Sequence, residues 1–144
     1  MKRLQGIVIA VMLASAWPGS AVFSQDAGVG MLSVELNDMV VSEKGCKFTF
    51  VAANNLAQSL SKVSFEFVLF DQKGLVERMA VLDFRDLPSG KTKVRQFDLP
   101  GTKCEAVKSL LINDTPACTG EGLAEDACMK ALKTGSKSLV ELKG

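Results

Sequence analysis

KVSFEFVLFD, Lys62 to Asp71, decides the fold. Val63, Phe65, Phe67 and Leu69 fall at every second position, and Ser64 and Glu66 oppose them. Successive side chains of a strand point to opposite faces, so this period of two predicts a strand with one strongly apolar face. Asp71-Gln72-Lys73-Gly74 reads as a tight turn, with a glycine free to take positive φ. LVERMAVLDF, residues 75–84, returns as the next strand, so 62–84 is a predicted hairpin.

Working outward, the same pattern recurs between turn signals. MLSVELND, from Met31, sets Leu32, Val34 and Leu36 on one face against Ser33, Glu35 and Asn37. SEKG, Ser42 to Gly45, is a turn. CKFTFVA follows, with Cys46, Phe48 and Phe50 on one side. NNLAQSLS is a polar loop. After the turn Leu87-Pro88-Ser89-Gly90, KTKVRQFDL places Thr92 and Val94 out of phase with Phe97 and Leu99, which suggests a β-bulge near Arg95-Gln96. Pro100-Gly101 ends that strand. VKSLLIN, Val107 to Asn113, is a short apolar strand. AEDACMKAL, Ala124 to Leu132, has helical composition, with Gly135 as its stop, and SKSLVELKG closes the chain as a last strand. About seven short strands and one short helix before the last of them predict an all-β sandwich. With no internal repeat and no long linker, residues 25–144 read as a single domain.

The first residues stand apart from that domain. Lys2 and Arg3 precede an apolar run, Ile7 to Ala16, which Pro18 and Gly19 break. Small residues at Ala21 and Ser24 offer cleavage points. This is the layout of a secretory signal peptide, expected over 1–24 with cleavage near 21–25. The run falls short of the roughly 20 apolar residues of a membrane span, so no membrane span is expected after signal removal. No cysteine follows closely enough for a lipoprotein anchor, and Lys2-Arg3 is not a twin-arginine pair, which favours the general secretory route. The short leader looks bacterial, and the expected location is the periplasm.

Composition narrows function further. The chain is 47% hydrophobic and 23% charged, enough for one real core. Without the leader, 15 basic residues face 16 acidic ones, so no strong field draws the protein to nucleic acid or anionic lipid. Histidine and tyrosine are absent, which removes two common carriers of catalytic proton transfer.

VLFDQKG followed by LPSGKTKVRQFDL resembles the FxLYD type of immunoglobulin-like domain. Phe67, Leu69, Phe70, Asp71 and Gly74 match its strand and turn, and Pro88 and Gly90 match its second turn. Phe70 stands where that motif has tyrosine, so a hydroxyl is missing. CKFTFVAANNL, VLFDQKGLVERMAVLDF, LPSGKTKVRQFDLPGTKC, the Cys-x-Gly-x-x-Leu stretch from Cys118 and the final VELKG are together similar to a family of small exported alphaproteobacterial proteins. These often carry the label Tat pathway signal sequence domain protein. The resemblance implies an immunoglobulin-like fold, export and a four-cysteine framework, and it carries no catalytic residues.

Cys46, Cys104, Cys118 and Cys128 all lie in the expected mature chain, an even count that suggests two disulfides in an exported protein. Redox catalysis would use Cys-x-x-Cys, which does not occur. A zinc site would use closely spaced Cys and His pairs, also missing. Four cysteines allow three pairings. In an immunoglobulin-like order the second and sixth strands run the same way in opposite sheets, so Cys46 and Cys104 sit at one end of the sandwich. The preferred pairs are therefore Cys46–Cys104 and Cys118–Cys128.

The remaining candidates are surface groups. Arg78, Arg85, Lys91, Lys93 and Arg95 could gather as an anion site, or could be a charged sheet edge that blocks strand addition. Asp83, Asp86 and Asp98 fall at strand ends and turns, where aspartate is common. Asn113-Asp114-Thr115 fits a glycosylation sequon by coincidence in a bacterial setting. Phe70 and Val68 lie opposite Phe65 and Phe67, and form either an apolar contact strip or a face covered by the helix or another strand. No nucleophile–base pair, metal set or phosphate loop is evident. The expectation is a non-enzymatic module without cofactors that contacts an envelope protein. The alternative is an anion or small-molecule binding domain built on the cations at 78–95.

Overall fold

The computed structural model describes residues 30–144. The expected signal peptide, 1–24 with cleavage near 21–25, lies outside the described residues. The described residues form eight strands: β1 Leu32–Val41, β2 Gly45–Asn54, β3 Leu60–Phe70, β4 Val76–Leu87, β5 Thr92–Pro100, β6 Ser109–Thr119, β7 Leu132–Ser136 and β8 Glu141–Lys143. One sheet has the order β5-β2-β1-β7 and the other β4-β3-β6-β8. A 3-10 turn, Cys104–Ala106, precedes β6, and one α-helix, α1 Ala127–Ala131, precedes β7. The fold is an all-β sandwich, as the alternation predicts.

The core lies where period-two patterning puts it. Leu32, Val34 and Leu36 of β1, Phe48 and Phe50 of β2, and Val63, Phe65, Phe67 and Leu69 of β3 are all buried. Phe50 meets Phe67 of the facing sheet at 4.9 Å between ring centroids and Phe84 of β4 at 5.6 Å. Phe65 lies edge-on to Phe84 at 5.0 Å. Offset and edge-to-face rings add about 0.5–1.5 kcal/mol per pair beyond their buried area. The β3–β4 hairpin turns as the sequence predicts. Asp71 Oδ1 accepts from the backbone N–H groups of Lys73 and Leu75, and Gly74 takes φ +79°.

Three segments depart from the sequence reading. The bulge expected near Arg95-Gln96 is absent, because β2 and β5 stay in unbroken register from Gly45–Pro100 to Ala53–Thr92. The inward positions of β5 are Lys93, Arg95, Phe97 and Leu99, so the phase slip came from reading Val94, which is exposed, as a core residue. The helix is five residues, Ala127–Ala131, and not the whole stretch from Ala124 to Leu132. Leu132 leaves it to pair with Leu32 of β1, and Gly135 sits within a strand opposite Glu35 instead of stopping a helix. Two helical turns are marginal by themselves, and a packed strand displaces them. β7 is thus a strand where the helix and its stop were expected, and it runs parallel to β1. Of the expected last strand, SKSLVELKG, only β8, Glu141–Lys143, is formed, parallel to β6 in the other sheet.

β6 runs on past Asn113 to Thr119, through Pro116. Its pairing with β3 shifts between Ala117 and Asp114, and β8 accompanies it only from Ser109 to Leu111. Pro116 therefore lies at an irregularity with no strand paired on its outer side, where a missing N–H costs little.

Candidate functional site

β4 and β5 are the edge strands on the same side of the sandwich, and their side chains stitch that side shut. From β5, Arg95 Nε donates to the Phe84 carbonyl at 2.7 Å and Nη2 to the Asp86 carbonyl at 3.1 Å. Lys93 Nζ meets the Asp86 carboxylate at 2.8 Å. From β4, Arg78 Nη1 crosses in the other direction to the Pro100 carbonyl at 2.7 Å and to Thr102 Oγ1 at 3.1 Å. The hydrogen bond from Lys93 holds the Asp86 carboxyl below its usual 3.8, and the charges of Lys93 and Arg95 add to this.

The five cations singled out in the sequence are thus strung along a seam. Arg78 stands at the Pro100 end, Lys93 and Arg95 at the Asp86 end, and Lys91 and Arg85 face solvent. The three aspartates are separated too. Asp83 Oδ1 accepts from the Arg85 N–H, which holds Arg85 at φ +62°, while Asp98 accepts from the Ser42 hydroxyl. Asn113 Nδ2 donates to Glu66 across β6 and β3 at 2.7 Å.

The cysteines form Cys46–Cys104 and Cys118–Cys128, and none is free among the described residues. Gly45 explains how β2 enters the first bridge. A Cβ at this position would lie 2.1 Å from the Leu99 carbonyl oxygen, so only glycine lets β2 open this close to β5. Cys46 then points inward and reaches the 3-10 turn ahead of β6. The second bridge ties the end of β6 to α1, and buries Cys128.

The outer face of the β4-β3-β6-β8 sheet carries a strip of apolar side chains. Val68 lies opposite Met79 of β4 and Leu111 of β6, and Glu66 lies opposite Val81. Val76, Met79 and Val81 are 58%, 52% and 56% exposed. Neither the helix nor another strand covers this face. α1 packs against β6 and β1, and Val68 is buried by its own sheet neighbours while Phe70 stays half-exposed. An open depression of about 300 Å³ at one end of the strip is lined by Phe70, Gly74, Lys108, Ser109, Leu111 and Lys143. The sequence reading found Phe70 and Val68 but missed Met79 and Val81. The available signal was the uncharged run Met79-Ala80-Val81-Leu82, apolar on both faces of a strand.

Among the described residues no helix is long and apolar enough to cross a membrane. No family model, curated protein or solved structure matches the chain.

Proposed function

We propose that the protein is a non-enzymatic, immunoglobulin-like module of the periplasm that works by contact with an envelope protein. The observation that carries this reading is the apolar strip of Val76, Met79 and Val81 beside Val68, Leu111 and Phe70. Contiguous exposed apolar surface of this kind, rimmed by polar residues, marks protein contact sites. Export is supported by the two disulfides and by the leader-like start of the sequence. The immunoglobulin-like reading is supported by the FxLYD-like residues of β3 and its turn. The parallel pairs of β7 and β8 depart from the wholly antiparallel sheets of that fold. The anion-binding alternative draws less support, since Arg78, Lys93 and Arg95 are committed to backbone carbonyls and Asp86.

Crosslinking of the purified protein into envelope extract tests the proposal. A single specific partner is expected with the wild type. Met79→Lys should abolish its capture, whereas Lys91→Glu, in the turn before β5, should leave it unchanged. Saturable thermal stabilisation by phosphate that is lost in Lys91→Glu, with no partner captured, would favour the alternative.

A further inference from the structure

We propose that the protein pairs with a second copy of itself through the free edge of β4, joining two outer faces into one continuous sheet. At 12 residues β4 is the longest strand, and it stands at a sheet edge. Edge strands present unpaired N–H and C=O groups, and folds usually blunt them by shortness or charge. The other edges follow that rule. β7 has 5 residues, β8 has 3, and β5 carries Lys93 and Arg95. β4 instead offers the uncharged run Met79-Ala80-Val81-Leu82 at its middle.

The seam shows which backbone groups are free. The Phe84 carbonyl accepts from Arg95, so it points away from β3. Backbone groups two residues apart on a strand point the same way. Phe84 sits where the register of β4 with β3 shifts and has no partner there, but it shares the buried core face with Leu82, and β4 keeps unbroken register with β3 from Met79 to Asp83. Leu82 and Ala80 therefore turn their N–H and C=O groups to the open edge as well. Arg95 closes the edge at Phe84, and Arg78 crosses to Pro100 at the other end, which leaves Ala80 to Leu82 accessible.

The charges of β4 select the occupant, because they are complementary to themselves. A two-fold axis at Val81 sets Ala80 against Leu82 of the second copy and Met79 against Asp83, and it brings Glu77 and Arg85, just past the irregularities at Glu77 and Phe84, to the same end of the ladder. The last pair forms twice. An axis at Ala80 would set Glu77 against Asp83, two like charges. An axis at Leu82 would set Arg78 against Asp86, but those groups already hold Thr102 and Lys93. Glu77 and Arg85 are both exposed, and neither makes an ion pair within the described residues. They are the pair left over for this interface.

Sedimentation of the purified, oxidised protein between about 1 μM and about 1 mM tests the pairing. A reversible monomer–dimer equilibrium is expected. Glu77→Arg and Arg85→Glu should each weaken it about tenfold or more, since two attractions become two repulsions. An equimolar mixture of those two variants should associate as tightly as the wild type, because the reversed charges then meet across the axis. Unchanged melting temperatures would show that both variants fold. A monomer at every concentration, a dimer indifferent to either reversal, or a mixture no tighter than its components would each overturn the proposal. Met79→Lys sets a lysine opposite Asp83 and should keep the dimer, so this inference and the envelope contact fail independently.

Discussion

Asn54 closes β2 with no exposed surface, yet it is polar. Its Nδ2 donates to the carbonyls of Gln58 and Leu87, each at 2.9 Å, and its Oδ1 accepts from the Leu56 N–H. Its backbone is equally engaged, taking a bond from Gly90 N–H and giving one to the Lys91 carbonyl. The side chain therefore joins the loop after β2 to the end of β4, and the backbone adds the turn before β5. Asn54→Ala would leave the Leu87 and Gln58 carbonyls and the Leu56 N–H without partners. Buried orphans cost about 1–3 kcal/mol each where water cannot reach them. We expect a loss of about 2–4 kcal/mol, read from the urea midpoint at unchanged slope. A loss below about 0.5 kcal/mol, the range of an ordinary surface change, would show that the three bonds matter little. From the sequence, Asn54 was merely the first letter of a polar loop. Nothing in a run of asparagines shows which one is buried.

At the scale of elements, strands that alternate cleanly were legible, and those that depend on distant partners were not. β2 buries every second residue along its length, β1 does so from Leu32 to Leu36, and β3 keeps Val63, Phe65, Phe67 and Leu69 in the core, so period placed them. β5 failed because its inward positions include Lys93 and Arg95, and their burial depends on carbonyls and a carboxylate of β4. α1 and β7 were misplaced because Leu132 obeys β1, a hundred residues away in sequence, and not the helical composition around it. The same seam explains why the cationic cluster was found as a set of residues but not as an arrangement. It also has a pH signature. The folded Asp86 carboxyl sits below 3.8, held there first by its bond from Lys93. A depressed carboxyl contributes stability that is complete above its ordinary value and lost as pH falls through the folded one. Carboxyl NMR should therefore show Asp86 titrating below 3.8, with Lys93→Met moving the midpoint back toward that value. Acid should loosen the seam only partly, because Arg95 stays charged and keeps its carbonyl acceptors. A midpoint unmoved by Lys93→Met would mean that the ion pair is not formed in solution.

For the whole molecule, the two disulfides divide the labour of holding eight strands together. Cys46–Cys104 joins the start of β2 in one sheet to the turn before β6 in the other, across 58 residues of sequence. Cys118–Cys128 spans only 10 and closes the excursion that carries the chain from β6 to α1. Chain entropy alone would assign about 4 kcal/mol to the first and about 3 kcal/mol to the second. Their positions separate them further. β7 and β8 are short, and each is attached along one neighbour at a sheet edge. Short edge elements with few partners open at low free energy, whereas central strands open only with the whole domain. Replacing Cys118 and Cys128 by alanine should therefore raise hydrogen exchange over 127–143 far more than in β2 and β3. Replacing Cys46 and Cys104 should lower protection everywhere by a similar free energy, and shift the denaturant midpoint accordingly. Each result belongs to one bridge: local release for the crosslink within one end of the sandwich, global loss for the crosslink between its layers. If both pairs of replacements lowered protection uniformly, residues 127–143 would be part of one cooperative unit with the rest of the sandwich. The strands after α1 would then owe their place to Leu132 and Leu142 in the core, not to the covalent tether.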